Sequence, residues 1–161
     1  MTSGTNSMII IRKYEESDAW ALWAIFYHTI RNVNIRDYSQ AQVKAWAPDN
    51  LDPKVWQRKM DSITPFIAEI NGDIVGYTDL QENGLIDHFF CHHEHQGKGI
   101  GRSLMEHVLN VGNQQGIDKY YSEVSITARP FYERFGFKVI QEQTVEVRGQ
   151  KLRNFVMEKV S

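Results

Sequence analysis

The stretch Gln96-Gly97-Lys98-Gly99-Ile100-Gly101-Arg102-Ser103 decides how this chain is read, because three alternating glycines stand between a strand-like and a helix-like segment. Glycine admits positive φ and close backbone approach, so such a loop folds tightly. Successive N–H groups at the start of the following helix can then converge on a phosphate, and the helix dipole strengthens the grip. Spacing removes two nucleotide-binding readings. A P-loop needs Gly-Lys followed by Ser or Thr, whereas Lys98 is followed by Gly99; a dinucleotide fingerprint needs two residues between its second and third glycines, whereas only Ile100 intervenes.

Working outward, Leu85 to Cys91 reads as the strand entering the loop, and Ser103, Leu104, Val108 and Val111 mark a helix ending near Gly112 or Gly116. Upstream, Met8 to Lys13 predicts a first strand. Leu22, Trp23, Phe26, Tyr27 and Ile30 follow Ala19 at helical spacing, after an N-cap at Ser17 or Asp18. Tyr38 to Trp46 predicts a short helix stopped by Ala47-Pro48, and Val55 to Ile63 a third. Phe66 to Ile70 and Ile74 to Leu80 flank Asn71-Gly72-Asp73 as a hairpin, and Asn83-Gly84 reads as a second turn of the same sort. Downstream, Tyr120 to Ser125 predicts a strand and Ala128 to Phe135 a helix closed by Gly136. Phe137 to Val147 and Leu152 to Val160 pair across Arg148-Gly149-Gln150. Residues 8–161 therefore read as a single α+β domain with a mostly antiparallel sheet, preceded by a loose tail over residues 1–7.

Composition excludes more than it selects. A chain of 161 residues can bury its own core without staples. Net charge is -2, from 18 Lys and Arg against 20 Asp and Glu without long runs of either sign, which disfavours nucleic acid as a partner. The single cysteine, Cys91, allows no internal disulfide and fits a reducing, cytoplasmic setting. Its longest apolar stretches are too interrupted to span a membrane.

The loop resembles the pyrophosphate-binding signature of the GNAT acetyltransferases, Gln or Arg, two residues, Gly, one residue, Gly or Ala, met by Gln96, Gly99 and Gly101. Leu85-Ile-Asp-His-Phe-Phe-Cys91 is similar to that family's fourth strand, and Ser125-Ile-Thr-Ala-Arg-Pro-Phe-Tyr-Glu-Arg-Phe-Gly-Phe137 to its fifth strand and following helix. Weaker likeness runs through nearly the whole chain from Met8. The resemblance implies a GNAT fold of six to seven strands flanked by about four helices. It further implies acetyl-coenzyme A as cosubstrate and transfer of its acetyl group to a primary amine. Gly97, Lys98, Gly99, Ile100, Gly101, Arg102 and Ser103 would hold the pyrophosphate alongside Gln96, and the backbone of Phe89, Phe90 and Cys91 would pair with the pantetheine arm, which Thr127 would also touch. Last strands of such folds often pair across chains, which leaves room for a homodimer.

Acetyl transfer needs an unprotonated amine, stabilisation of a negative oxygen and a proton for the departing thiolate. An alkyl amine with a pKa of roughly 10.4 is almost wholly protonated at neutral pH, so a base must act first. Asp87 shares a strand face with Leu85, Phe89 and Cys91 by alternation and is the family-like choice, with Asp79, Glu69 and His88 competing. Tyr132 matches the tyrosine that protonates the thiolate in the family pattern. Tyr38 and Trp46, with His28 for polar contact, are candidates for the acceptor wall. Adjacent His92 and His93 cannot easily share one centre with His95, so no metal is expected. A small-molecule acceptor competes with a protein Lys or chain terminus, and catalysis competes with a coenzyme-A-binding module that has no use for Tyr132.

Overall fold

Seven strands and five helices follow one another along residues 8–161, the part of the chain that the computed structural model describes. The tail expected over residues 1–7 lies outside them. The order is β1 (Ile9–Lys13), α1 (Ala19–Asn32), α2 (Gln40–Trp46), α3 (Pro53–Ile63), β2 (Phe66–Ile70), β3 (Asp73–Thr78) and β4 (Phe89–Cys91). Then come α4 (Ile100–Gln114), β5 (Lys119–Ser125), α5 (Arg129–Arg134), β6 (Lys138–Val147) and β7 (Gln150–Val160). One antiparallel sheet has the order β1-β2-β3-β4 and the other β5-β7-β6. The expected α+β class holds, with the strands divided between two sheets and five helices in place of about four. No helix among the described residues is long and apolar enough to cross a membrane.

Local chemistry explains most boundaries. Asp52 caps α3 by accepting from the Lys54 N–H, with Pro53 in the first helical turn where its missing donor costs nothing. Ser39 and Gln42 form a capping box at the start of α2, and the Gln42 amide reaches the Lys151 carbonyl to tie that helix to β7. Asn71 and Gly72 have φ of 52° and 85°, and Arg148 and Gly149 have 45° and 83°. Both pairs make the two-residue turns that match strand twist. Asn83-Gly84 differs from expectation: Gly84 donates to Gln81 and Gln81 to Leu85, giving a wider turn in which Gly84 has positive φ and Asn83 does not.

Helix α1 buries Leu22, Ile25, Phe26 and Ile30 against Trp56 and Met60 of α3. Helix α4 lays Ile100 and Leu104 on Ala68 and Val75, and Met105 and Val108 against Tyr120 and Phe137. Gly76 permits that contact, since a Cβ there would sit 3.0 Å from Ile100 Cγ2.

The strand expected over Leu85 to Cys91 is regular only from Phe89. Leu85 instead forms a parallel bridge with Tyr121, the Ile86 N–H donates to the Tyr121 carbonyl, and the Ser122 hydroxyl donates to the Ile86 carbonyl at 2.7 Å. Asp79, fully buried, turns the chain between these two attachments: its Oδ1 accepts the N–H groups of Asp87 and His88, each at 2.8 Å. The alternation that would align Asp87 with Phe89 and Cys91 breaks at this point, leaving Ile86 buried and Asp87 exposed. Replacing Asp79 by Ala strips two backbone donors of a charged acceptor and should cost about 2–3 kcal/mol in urea unfolding. Asp79→Asn, which keeps one acceptor oxygen, should lose less; unchanged stability in the Ala variant would contradict this role.

Candidate active site

Past the Leu85–Tyr121 bridge β4 and β5 separate, and a cleft of about 780 Å³ lies between them. Phe89, Phe90 and Cys91 line one side, Ser122 to Ser125 the other, and Gly97, Gly99 and the start of α4 close one end.

Positive φ at Gly97 (79°) and Gly99 (82°) aims the loop into α4. Gly99 is the N-cap and no side chain caps the helix; the Ser103 N–H is the one that bonds back to the Gly99 carbonyl, at 3.0 Å. The N–H groups of Ile100, Gly101 and Arg102 are therefore left for an outside acceptor. A Cβ at Gly97 or Gly99 would meet nothing within 4 Å, whereas one at Gly101 would lie 3.0 Å from Phe131 Cε1. The first two glycines serve conformation and open approach, the third close packing of α4 on α5. Ile100 is buried as the loop's anchor. Arg102 leans over Phe135 with its guanidinium 3.9 Å from Glu106.

Of the expected cofactor contacts, Gln96 lines the cleft, whereas Lys98 and the Ser103 side chain do not. The Gln96 amide donates to the carbonyls of Cys91 (3.0 Å) and His92 (3.3 Å), so it braces the loop from within. Lys98 is exposed, its ammonium 3.4 Å from His95 Nδ1, and neither it nor the Ser103 side chain lines the cleft.

Antiparallel pairing sorts the three residues of β4. The bonds from Asp79 N–H to His88 and from His92 N–H to Val75 fix the register, so Phe90, opposite Tyr77, turns both backbone groups toward β3. Phe89 and Cys91 turn theirs to the open edge. The Cys91 carbonyl is already taken by the Thr29 hydroxyl at 2.8 Å as well as by Gln96. Phe89 and the Cys91 N–H, rather than Phe90, present the free edge. Across the cleft, Thr127 Oγ1 is buried without a hydrogen-bond partner.

Tyr132 is buried against Phe89, Phe131 and Phe137. Burial pushes its phenol well above the usual range, against a smaller opposing effect of a hydrogen bond with Ser122. Burial likewise raises the Cys91 thiol to about 12, which leaves almost no thiolate at neutral pH. Asp87 lines the cleft with its carboxylate 2.5 Å from Lys59 Nζ. Beside it, burial lowers His88 to about 4, despite the opposing charge of Asp87; its ring stands among Phe26, Trp56, Tyr77 and Phe90, with Nδ1 3.1 Å from the Tyr77 hydroxyl. Of the other base candidates, Asp79 is spent on backbone donors and Glu69 pairs with Arg12 at 2.6 Å.

Tyr38 and Trp46 line the cleft edge to face, but the Tyr38 hydroxyl is committed to the Arg153 carbonyl and the Ile126 N–H. His28 stands outside the cleft, exposed on α1 with its ring 5.6 Å from that of His93. His92 and His93 stack at an interplanar angle of 12°; ligand atoms of these two and Glu94 lie within 4.8 Å of one another, and His93 Nδ1 is buried without a partner. Sequence reasoning missed Asn34, Ser122 and Asn154, polar groups inside the cleft that no motif or spacing marks, and gave no role to Ser125, which also lines it.

Comparison with known proteins adds an independent line. A family model described as an acetyltransferase (GNAT) domain matches residues 34–159. The chain is 33% identical over 149 residues to the N-acetyltransferase YafP of Escherichia coli K12, itself uncharacterized, covering 92% of this chain and 94% of that one. In structure it is similar to a GCN5-related N-acetyltransferase from Rhodopseudomonas palustris, with TM-score 0.91, 27% identity, and 96% and 97% of the two chains covered. It also shares its fold with the PaiA N-acetyltransferase of Thermoplasma acidophilum, solved in complex with coenzyme A, at TM-score 0.73 and 18% identity over 96% and 99% of the chains.

The His88 environment predicts a pH dependence. Its folded pKa of about 4 lies below the ordinary histidine value of 6.5, so the unfolded chain binds the proton more readily. The stability this imidazole contributes is complete above pH 6.5 and is lost as pH falls toward 4, on the order of 3 kcal/mol in full. Urea unfolding at pH 7, 6 and 5 should show that decline, and His88→Gln should flatten it; parallel declines would contradict the assignment.

Proposed function

The chain belongs to the GNAT acetyltransferase family, and on that premise we propose that it moves the acetyl group of acetyl-coenzyme A directly to a primary amine of a small molecule. The observation that carries this reading is the uncapped N-terminus of α4, whose free N–H groups open on the same cleft as Thr127 and Tyr132. An anion suits those donors, and the Thr127 hydroxyl lacks the partner that a pantetheine amide would supply. The free N–H groups of Phe89 and Cys91 offer an added-strand edge to the arm and a donor to the thioester oxygen.

Within this reading Asp87 takes the proton from the acceptor ammonium, directly or through water, with Lys59 holding its carboxylate at the wall. His88, neutral at working pH and on the same wall, is the second choice. The freed nitrogen forms the new C–N bond as the C–S bond breaks. Tyr132, kept protonated by burial, gives its proton to the departing sulfur, and the second proton that the nitrogen sheds on becoming an amide restores the phenol. Cys91 carries no acyl group, because a thiol raised to about 12 is not a nucleophile at neutral pH. No step calls for a metal.

A small acceptor is favoured over a protein by the walls beyond the reacting centre, where Tyr38 and Trp46 meet Val145, Val147 and Leu152. Of the two carboxylates along the cleft, Asp87 is neutralised by Lys59 and Glu123 accepts from the neutral Gln143 amide, so a basic peptide finds a single uncompensated charge. A module that merely binds coenzyme A would have no use for a buried, protonated Tyr132.

Calorimetry should show micromolar binding of acetyl-coenzyme A, abolished in Gly99→Glu, whose charged side chain enters the open space over the loop. No binding by the native chain would sink the reading. Tyr132→Phe should keep that affinity within about twofold while lowering kcat roughly 100-fold, the scale of a lost general acid. Cys91→Ala should keep kcat, and a large loss there would instead indicate an acyl-enzyme.

A further inference from the structure

Two buried side-chain oxygens along the cleft, Thr127 Oγ1 and Asn154 Oδ1, have no hydrogen-bond partner. Leaving a buried polar atom unpaired is costly, so each needs a donor that the protein itself does not provide. The pantetheine arm accounts for Thr127 in the reading above. Asn154 is unexplained by it.

The neighbours of Asn154 show why nothing in the protein reaches its oxygen. On β7 it stands opposite Ser125 of β5 and Gln143 of β6. The Ser125 hydroxyl accepts from Asn34 Nδ2 at 3.3 Å and from the Ala128 N–H at 3.0 Å, and Gln143 is turned to Glu123. The preceding carbonyl, Arg153, is closed by Tyr38. None of these groups donates to the Asn154 oxygen.

Position along β5 says which part of an acceptor would meet it. Ser122, which lines the cleft with Tyr132, and Ser125, the register partner of Asn154, are three residues apart on opposite faces of the strand, or about 10 Å along it. Asn154 therefore stands a small molecule's length from the reacting end, beside Tyr38, Trp46 and Leu152.

We propose that Asn154 determines acceptor specificity, its side-chain oxygen receiving a hydrogen bond from a hydroxyl at the end of the acceptor remote from the reacting nitrogen. The acceptor class is then a small monoamine with an aromatic body and a distal hydroxyl. This inference rests on the acetyltransferase reading above. A site built around an unpaired buried oxygen discriminates strongly against analogues that lack the matching donor.

Three amines on one skeleton test it: tyramine, with a distal hydroxyl; 4-methoxyphenethylamine, whose oxygen can only accept; and phenethylamine, with neither. With the native protein, tyramine should exceed the other two at least tenfold in kcat/KM, through KM. In Asn154→Leu the three should become equal. The variant should bind acetyl-coenzyme A within twofold of the native chain and melt no lower, because an unpaired oxygen is removed from the interior. Equal rates for the three in the native protein, no turnover of any of them by a chain that binds acetyl-coenzyme A, a preference that survives in the variant, or a fall of several degrees in melting temperature would each overturn the proposal. Failure of the native chain to bind acetyl-coenzyme A would instead remove the underlying reading.

Discussion

The pair of hydrogen bonds that Asp79 accepts from the N–H groups of Asp87 and His88 is the constraint on which the site depends. A strand running on from Leu85 would have stayed beside β5 and closed the sheet. Instead Leu85 and Ile86 are held to Tyr121, and the next two residues turn their donors inward to a buried carboxylate. Two buried donors left unmet by a strand partner would otherwise oppose the turn. Burial raises the Asp79 carboxyl, with the N–H bonds acting against that shift, so the kink is maintained at some electrostatic cost. From it β4 leaves with one edge on β3 and the other facing the cleft.

The two ends of the cleft rely on different physics. At the α4 end the free donors are backbone N–H groups, presented by a helix terminus and by alternate residues of a strand edge, and the Gln96 side chain braces the loop. At the far end the surface is made of side chains: rings, aliphatic groups and the amide of Asn154. Backbone recognition is tolerant of sequence, whereas an acceptor wall changes with each substitution. Burial tunes the chemistry between them, keeping Tyr132 protonated, His88 neutral and Cys91 inert.

That division explains what the sequence revealed. The α4 loop was legible because positive φ at Gly97 and Gly99 and close contact at Gly101 each demand glycine, and glycine spacing is visible in a string of letters. The turns at Asn71-Gly72 and Arg148-Gly149 were legible for the same reason. Alternation in Leu85 to Cys91 misled, since a buried carboxylate eight residues earlier in the chain takes the N–H groups that a regular strand would have paired. It also hid the difference between Phe90, spent on β3, and its two neighbours. His28 belongs to the right helix but to its exposed face. Asn154 gave no signal at all: one amide in a strand is unremarkable until the fold buries its oxygen without a donor.

In the proposed function, free backbone N–H groups of the α4 terminus and of one edge of β4 receive acetyl-coenzyme A. Amide chemical-shift mapping of the isotope-labelled chain during titration with acetyl-coenzyme A tests this residue by residue. Binding in this way should give large shifts at Gly97 to Arg102 and at Phe89 and Cys91, with Phe90 moving much less because its N–H stays paired with Tyr77. Shifts centred elsewhere, or equal movement of all three β4 amides, would contradict it.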